Sequence, residues 1–162
     1  MKKLAALFLF GLLVLAVSCT SSTKKSGDFK LLPQPQQIDL TGVSELKPKD
    51  LVLFYSEDAI DLPMLGTILS NIQETKERSK AQIVYNIDSL SDMKQEAYSL
   101  TILVNQIQIT AKDRAGLLYA FMTLEQLSED ALEQEVALPL CEIKDEPKLS
   151  YRSIHLDMKH PF

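Results

Sequence analysis

The clearest pattern in the chain is a double alternation of apolar and polar residues between positions 98 and 111. Each half has one apolar face, and Asn105 and Gln106 between the halves fit a tight turn. The sequence therefore predicts a two-stranded β-hairpin with one buried face. The apolar positions are Tyr98, Leu100, Ile102, Val104, Ile107, Ile109 and Ala111.

A helix is predicted directly after this hairpin. Asp113 is a candidate N-cap, and Leu117, Phe121 and Leu124 recur at helical spacing. Gly116 costs about 1 kcal/mol relative to alanine inside a helix, so we expect it to permit close approach to the sheet. The alternative is a tolerated surface glycine.

An earlier segment also repeats apolar residues at helical spacing. Asp61 is its candidate N-cap, Pro63 lies in its first turn, and we expect the helix to end near Arg78. Its apolar positions are Leu65, Ile68, Leu69 and Ile72.

Three further strands complete the predicted sheet. Pro33 and Pro35 precede a short edge strand at 36–40, and 51–55 and 81–87 are apolar runs that suit strands. The order strand, strand, helix, strand, hairpin, helix predicts an α+β fold, with a mixed, largely antiparallel sheet and both helices on one face.

The stretch from Val136 to Phe162 belongs less clearly to this domain. Pro139 and Pro147 interrupt it, and residues 151–157 then alternate like the first strand of a further unit.

The first nineteen residues indicate export. Lys2 and Lys3 precede an apolar run at 4–17 of about 14 residues, whereas a transmembrane helix needs roughly 20. The string LAVSC, which ends at Cys19, resembles the bacterial lipobox, whose cysteine is acylated after cleavage. We expect a signal peptide at 1–18, lipid on Cys19 and anchoring in the bacterial cell envelope, in the periplasm or at the outer membrane. Ordinary secretory cleavage and an uncleaved anchor are the alternatives.

Composition narrows the possible partners. The formal net charge is −5, and cleavage would remove Lys2 and Lys3 and leave −7. Such an acidic chain is a poor binder of nucleic acid, which requires clustered positive charge. Residues 19–28 are small, polar and charged, as in a flexible tether. If Cys19 carries lipid, Cys141 has no partner, and its apolar surroundings predict a small core residue.

No complete active site can be found in the sequence. His155, Asp157 and His160 do not have convincing metal-ligand spacing, and we expect no metal and no cofactor. Glu142, Asp145 and Glu146 surround a proline turn, where charge is usually solvated. Glycine-rich phosphate loops, GxSxG and CxxC do not occur.

Three strings in the chain resemble the front of family 20 glycoside hydrolases, the exo-acting β-N-acetylhexosaminidases. They are LLPQPQQI, ITAKDRAGLLYAFMTLEQL and LPLCEIKDEPKLSYRSIHLDMKH, in that order. The resemblance implies a small α/β domain at 29–147, and at 148–162 a linker and the first strand of a (β/α)8 barrel that is otherwise missing.

The resemblance also implies roles for individual residues. Arg152 would bind hydroxyls of a terminal N-acetylhexosamine, although it could instead pair with a nearby carboxylate. Asp157 would orient the local backbone or Arg152. Many members have an arginine-histidine pair where this chain has Lys159 and His160, followed by Pro161.

In the family, the sugar's acetamido oxygen attacks the anomeric carbon, a glutamic acid protonates the leaving group and an adjacent aspartate steadies the acetamido nitrogen. We expect this acid pair to lie beyond the C-terminus, so that the chain contains no catalytic residue and is inactive by itself. N-acetylhexosamine would then be a ligand only when the barrel is present.

Two other interpretations stay open. The chain could be a stand-alone, lipid-anchored interaction or binding module, or an unrelated periplasmic α/β domain that matches by chance. An in-frame continuation with an adjacent Asp-Glu pair would favour the enzyme over the module.

Overall fold

A mixed sheet of seven strands, with one α-helix packed against it, forms the fold in the described residues of the computed structural model, 25–54 and 68–153. The strands are β1 (Gln37–Val43), β2 (Val52–Phe54), β3 (Gln73–Thr75), β4 (Ile83–Ile87), β5 (Tyr98–Ile102), β6 (Ile107–Ala111) and β7 (Pro139–Asp145). The helix α1 spans Arg114–Glu133, and short 3-10 helices span Pro48–Asp50, Leu69–Asn71 and Arg78–Lys80.

The strands lie in the order β1-β7-β5-β6-β4-β2-β3. The pairings from β1 to β6 along this order are antiparallel, and those from β6 to β3 are parallel. The predicted α+β class with a mixed sheet is confirmed. None of the helices in the described segments is long and apolar enough to cross a membrane.

The predicted hairpin is confirmed as β5 and β6. Tyr98 lies opposite Ala111 and Ile102 opposite Ile107, and the turn closes through a hydrogen bond from the Leu103 N–H to the Gln106 carbonyl at 2.8 Å. The predicted inward positions of both strands are buried, but Val104 in the turn is half exposed.

The predicted second helix is confirmed as α1. Asp113 caps it, because one carboxylate oxygen accepts the Gly116 N–H at 2.9 Å. Leu117, Phe121 and Leu124 are fully buried in the core between α1 and the sheet. The Phe121 ring packs edge-on against Tyr85 on β4, with 5.9 Å between ring centroids.

The predicted first helix is wrong where the structure describes it, after residue 67. Residues 69–71 form a 3-10 turn, β3 follows, and Arg78 begins another 3-10 turn. The buried carboxylate of Glu125 on α1 accepts the N–H groups of Ile68 and Leu69, both at 2.8 Å. The chain then enters the sheet beside β2, so pairing outweighs the helical spacing. The start of this prediction, including Asp61, lies outside the described residues.

The sequence prediction also missed β7. Residues 139–145 form an interior strand of the sheet, next to the edge strand β1 and antiparallel to both β1 and β5. Proline cannot donate to a ladder, but Pro139 is the first residue of β7, where it is tolerated. The stretch after Val136 is therefore part of the domain up to Asp145.

The predicted close approach of α1 to the sheet at Gly116 is confirmed. A Cβ at this position would lie 2.4 Å from the carbonyl oxygen of Ala97, just before β5. We expect Gly116→Ala to destabilise the domain by about 1–3 kcal/mol despite alanine's helix propensity, because backbone has to move. Urea unfolding followed by circular dichroism measures this change, and a Gly116→Ala chain more stable than wild type would contradict the close contact.

Candidate functional site

A groove of about 520 Å³ lies where residues 32–36, α1 and the chain after β7 meet. Leu32 and Met122 contribute exposed apolar surface to its lining, and the guanidinium of Arg152 supplies charge. The groove therefore combines apolar walls with a few polar groups, as ligand and protein contact sites do.

Hydrogen bonds hold the N-terminal wall of the groove in place. The Gln36 N–H donates to the Asp145 carboxylate at 3.1 Å, and the Gln36 side chain donates to the Glu146 carbonyl at 2.6 Å. On the other side, the Leu32 N–H donates to the Gln126 side chain at 2.8 Å. The wall is thus fixed both to the end of β7 and to α1.

A buried hydroxyl pair lies beneath the groove. The oxygens of Tyr98 on β5 and Thr123 on α1 are 2.6 Å apart, and either hydroxyl can donate. Burial raises the pKa of Tyr98 to about 12, although the hydrogen bond with Thr123 acts in the opposite direction. The phenol is therefore neutral at physiological pH and joins helix to sheet.

Arg152 lies at one end of the groove and forms an ion pair with Glu96. Its other terminal nitrogen donates to the Leu149 carbonyl at 3.1 Å, and the Tyr119 hydroxyl donates to the same Glu96 oxygen at 3.2 Å. The hydrogen bond to Glu96 is the main reason that the pKa of Arg152 rises above its usual value. In this structure the guanidinium is thus engaged by a carboxylate, which is the alternative that the sequence left open.

Glu96 is positioned by the start of α1. Its backbone has a φ of 64°, a left-handed conformation that is uncommon for a residue other than glycine. Its N–H donates to the second carboxylate oxygen of Asp113 at 2.8 Å, while the first oxygen caps α1. One carboxylate therefore fixes both the helix start and the loop that carries the partner of Arg152.

The carboxylates of the groove are all engaged as acceptors. Glu96 is bound by Arg152, Asp145 accepts the Gln36 N–H, and Glu146 forms an ion pair with Lys94. A glycosidase acid has to present a proton to the leaving group, and none of these contacts prepares one. No cluster of His, Cys, Asp and Glu that could hold a metal ion occurs in the described part of the chain.

The other residues singled out by sequence have different outcomes. Cys141 is confirmed as a core residue, since it is a free, buried thiol whose pKa burial raises to about 11. Cys19, His155, Asp157 and His160 lie outside the described residues.

Sequence reasoning missed Glu96 and Tyr119. The Tyr119 hydroxyl donates to Glu96, 23 positions away, and Glu96 pairs with Arg152, 56 positions away. No local sequence pattern marks either residue.

The Tyr98 pair predicts a specific pH dependence. Tyr98→Phe should cost about 1 kcal/mol near pH 7, because Thr123 loses its partner. Above pH 10 the unfolded tyrosine loses its proton while the folded one keeps it to about 12, so wild-type stability falls in that interval. The stability advantage of wild type over Tyr98→Phe should therefore shrink and then reverse between pH 10 and 12 in denaturant unfolding, since two pKa units correspond to about 2.7 kcal/mol.

Thr123→Val is the matched control for this measurement. It removes the same hydrogen bond but keeps the buried phenol, so its gap to wild type should not narrow. Equal pH profiles for wild type and Tyr98→Phe would contradict the proton retention assigned to Tyr98.

Comparison with known proteins places the sequence of this domain in an enzyme family. A sequence model of glycosyl hydrolase family 20, domain 2, matches residues 28–146. The beta-hexosaminidase of Porphyromonas gingivalis is 34% identical over 97 residues, which make up 56% of this chain and 12% of that protein. The beta-N-acetylhexosaminidase of Cellulomonas fimi is 28% identical over 67 residues, or 41% of this chain and 14% of that protein.

The chain thus spans 12% to 14% of the length of these two relatives. Its fold also resembles part of a solved beta-N-acetylhexosaminidase from Bacteroides fragilis, with a TM-score of 0.58 and 23% identity over 75% of this chain and 25% of that one. Because the family model covers more than half of the chain, the protein belongs to glycosyl hydrolase family 20 and carries that family's domain 2.

Proposed function

We propose that this chain supplies the non-catalytic N-terminal domain of an exo-β-N-acetylhexosaminidase. The observation that carries the proposal is the match of residues 28–146 to domain 2 of the family. In the intact enzyme, terminal N-acetylhexosamine would be hydrolysed with retention through attack by the substrate's own acetamido oxygen. The acid pair of that mechanism would lie outside residues 1–162.

The one adjacent Asp-Glu sequence in the chain is a poor candidate for that pair. Asp145 ends β7 and accepts the Gln36 N–H, while Glu146 is tied to Lys94. The Asp145 side chain therefore holds the N-terminal wall of the groove, and the Glu146 side chain is engaged by a lysine. Their engagement supports a structural role for this sequence and a different location for the catalytic acids.

Arg152 is the proposed sugar contact of the intact enzyme. Its fork of donors suits paired hydroxyls, and binding a sugar would require it to leave Glu96. An exposed ion pair of this kind contributes little to stability, which makes the exchange energetically accessible.

We further propose that lipid on Cys19 holds the domain in the bacterial cell envelope. The charged start, the short apolar run and LAVSC support this assignment. Amino-sugar polymers occur in that compartment, so the location suits the proposed substrate class.

The purified 162-residue chain should not release chromophore from an aryl N-acetyl-β-glucosaminide above the buffer rate. A full-length family member under the same conditions is the positive control. Turnover at rates ordinary for enzymes, at least about 1 per second, would overturn the non-catalytic assignment.

Acylation can be tested by expression in a bacterium followed by mass spectrometry of the purified protein. The proposal predicts a mass that corresponds to residues 19–162 plus lipid. Cys19→Ala is the control and should remain unacylated. An unmodified mature chain, or cleavage at another position, would contradict the anchor.

A stand-alone binding module is the second candidate. The apolar side chains exposed around the groove favour it, with Leu32 at 80% and Met122 at 49% exposure. Titration calorimetry with N,N'-diacetylchitobiose distinguishes the two. The enzyme-domain proposal predicts no binding by this chain, whereas saturable binding that Met122→Ser weakens would favour the module.

A further inference from the structure

The segment before β1 is bound along α1 by a ladder of side chains. Three acceptors are spaced four residues apart, two on α1 and the third at its C-cap, and each accepts one N–H group from alternate residues of the segment. The side-chain ladder consists of Gln134 with Asp28 at 2.8 Å, Asp130 with Lys30 at 2.7 Å, and Gln126 with Leu32 at 2.8 Å.

The spacing of the ladder follows from backbone geometry. Four residues of an α-helix rise about 6.0 Å, and two residues of extended chain span about 6.6 Å. Acceptors one turn apart therefore stay in register with alternate N–H groups of an extended segment. The segment runs antiparallel to α1, from Gln134 towards Gln126, and the Gln134 side chain also donates to the Asp28 carbonyl at 2.6 Å.

Packing fixes the same register from the other side. Leu31 is buried, and Phe29 packs against the core. A Cβ on Gly27 would lie 2.9 Å from the Val136 side chain. A shift of the segment by one residue along α1 would expose Phe29 and Leu31 and would also break the hydrogen bonds of the ladder. The segment therefore has one favoured position.

The ladder determines where the chain reaches the domain. The segment meets α1 at the helix's C-terminal end, where Lys25 donates to the Gln134 carbonyl at 3.4 Å. Cys19 lies six positions before Lys25. Even a fully extended chain between these two residues spans only about 20 Å. The anchor point and the C-terminal end of α1 are therefore kept close together.

We infer that the side-chain ladder orients the domain on a lipid bilayer, with the C-terminal end of α1 towards the membrane. This inference rests on the proposed lipid at Cys19. The helix has 20 residues and is about 30 Å long. Its N-terminal end, where Asp113 positions Glu96 and Glu96 pairs with Arg152, then faces away from the bilayer. The chain that follows Arg152 starts on the side of the domain that is open to glycans.

The absence of tryptophan from the chain makes this orientation measurable. Glu133→Trp places a single donor at the membrane end of α1, and Gln95→Trp places one beside its other end; both positions are exposed. The acylated chains are incorporated into phosphatidylethanolamine and phosphatidylglycerol vesicles that contain a dansyl-labelled lipid. We expect energy transfer from Glu133→Trp to exceed that from Gln95→Trp by at least about twofold, since the sites differ by roughly 30 Å along α1.

Removing the ladder should abolish the difference. Gln126→Ala, Asp130→Ala and Gln134→Ala together free the segment, so both donors should transfer energy alike while the vesicles still retain the protein. Glu129→Ala, an exposed change on the same helix, is the matched control and should preserve the difference. If the triple variant does not fold, the comparison of the two tryptophan donors in chains with an intact ladder still tests the proposed orientation.

The outcomes separate the two proposals. Vesicle flotation with equal transfer from both donors would overturn the orientation and leave the anchor intact. A chain that carries no acyl mass and does not float would refute the anchor and, with it, the orientation that depends on it.

Discussion

The insertion of β7 between β1 and β5 is the constraint on which the rest of the structure depends. β1 has no other strand partner in the described part of the sheet, so β7 alone joins it to the hairpin. The pairing also brings residues 36 and 145 together, although they are distant in sequence. The groove forms because this pairing places the segment before β1 next to the chain that follows β7.

α1 packs against this sheet and gives the domain two different faces. Its apolar face covers β5 and β6, and Gly116 lets the first turn lie against the backbone before β5. The cap at Asp113 fixes Glu96, and Glu125 fixes the turn at 68–69. The ladder side chains hold the segment before β1. A single helix thus packs the core and positions three separate stretches of chain.

The parts of the fold that sequence predicted are those with local causes. The hairpin, α1 and the Asp113 cap depend on residues near one another in the chain, and the close approach at Gly116 was indicated by a glycine inside a helical pattern. These signals are strong because alternation and helical spacing reflect one buried face. They could be predicted without knowledge of any distant partner.

The parts that sequence missed depend on distant partners. β7 is stabilised by strands about 40 and 100 positions earlier, which a local pattern cannot reveal. The apolar spacing up to Ile72 predicted a helix that ends near Arg78, but residues 73–75 pair with β2 instead. Arg152 was identified by resemblance, whereas its partner Glu96 carries no sequence signal. Family membership was predicted correctly because it depended on ordered strings and not on any single contact.

The central claim is that β7 closes this family 20 domain as a single sheet within residues 28–146. Native-state hydrogen exchange of the 162-residue chain tests it most directly. The account predicts that amides at 140–143 exchange in the slowest class, together with those of β5, because β7 is paired on both sides. Exchange at 140–143 as fast as that of exposed residues such as Ser26 would contradict it.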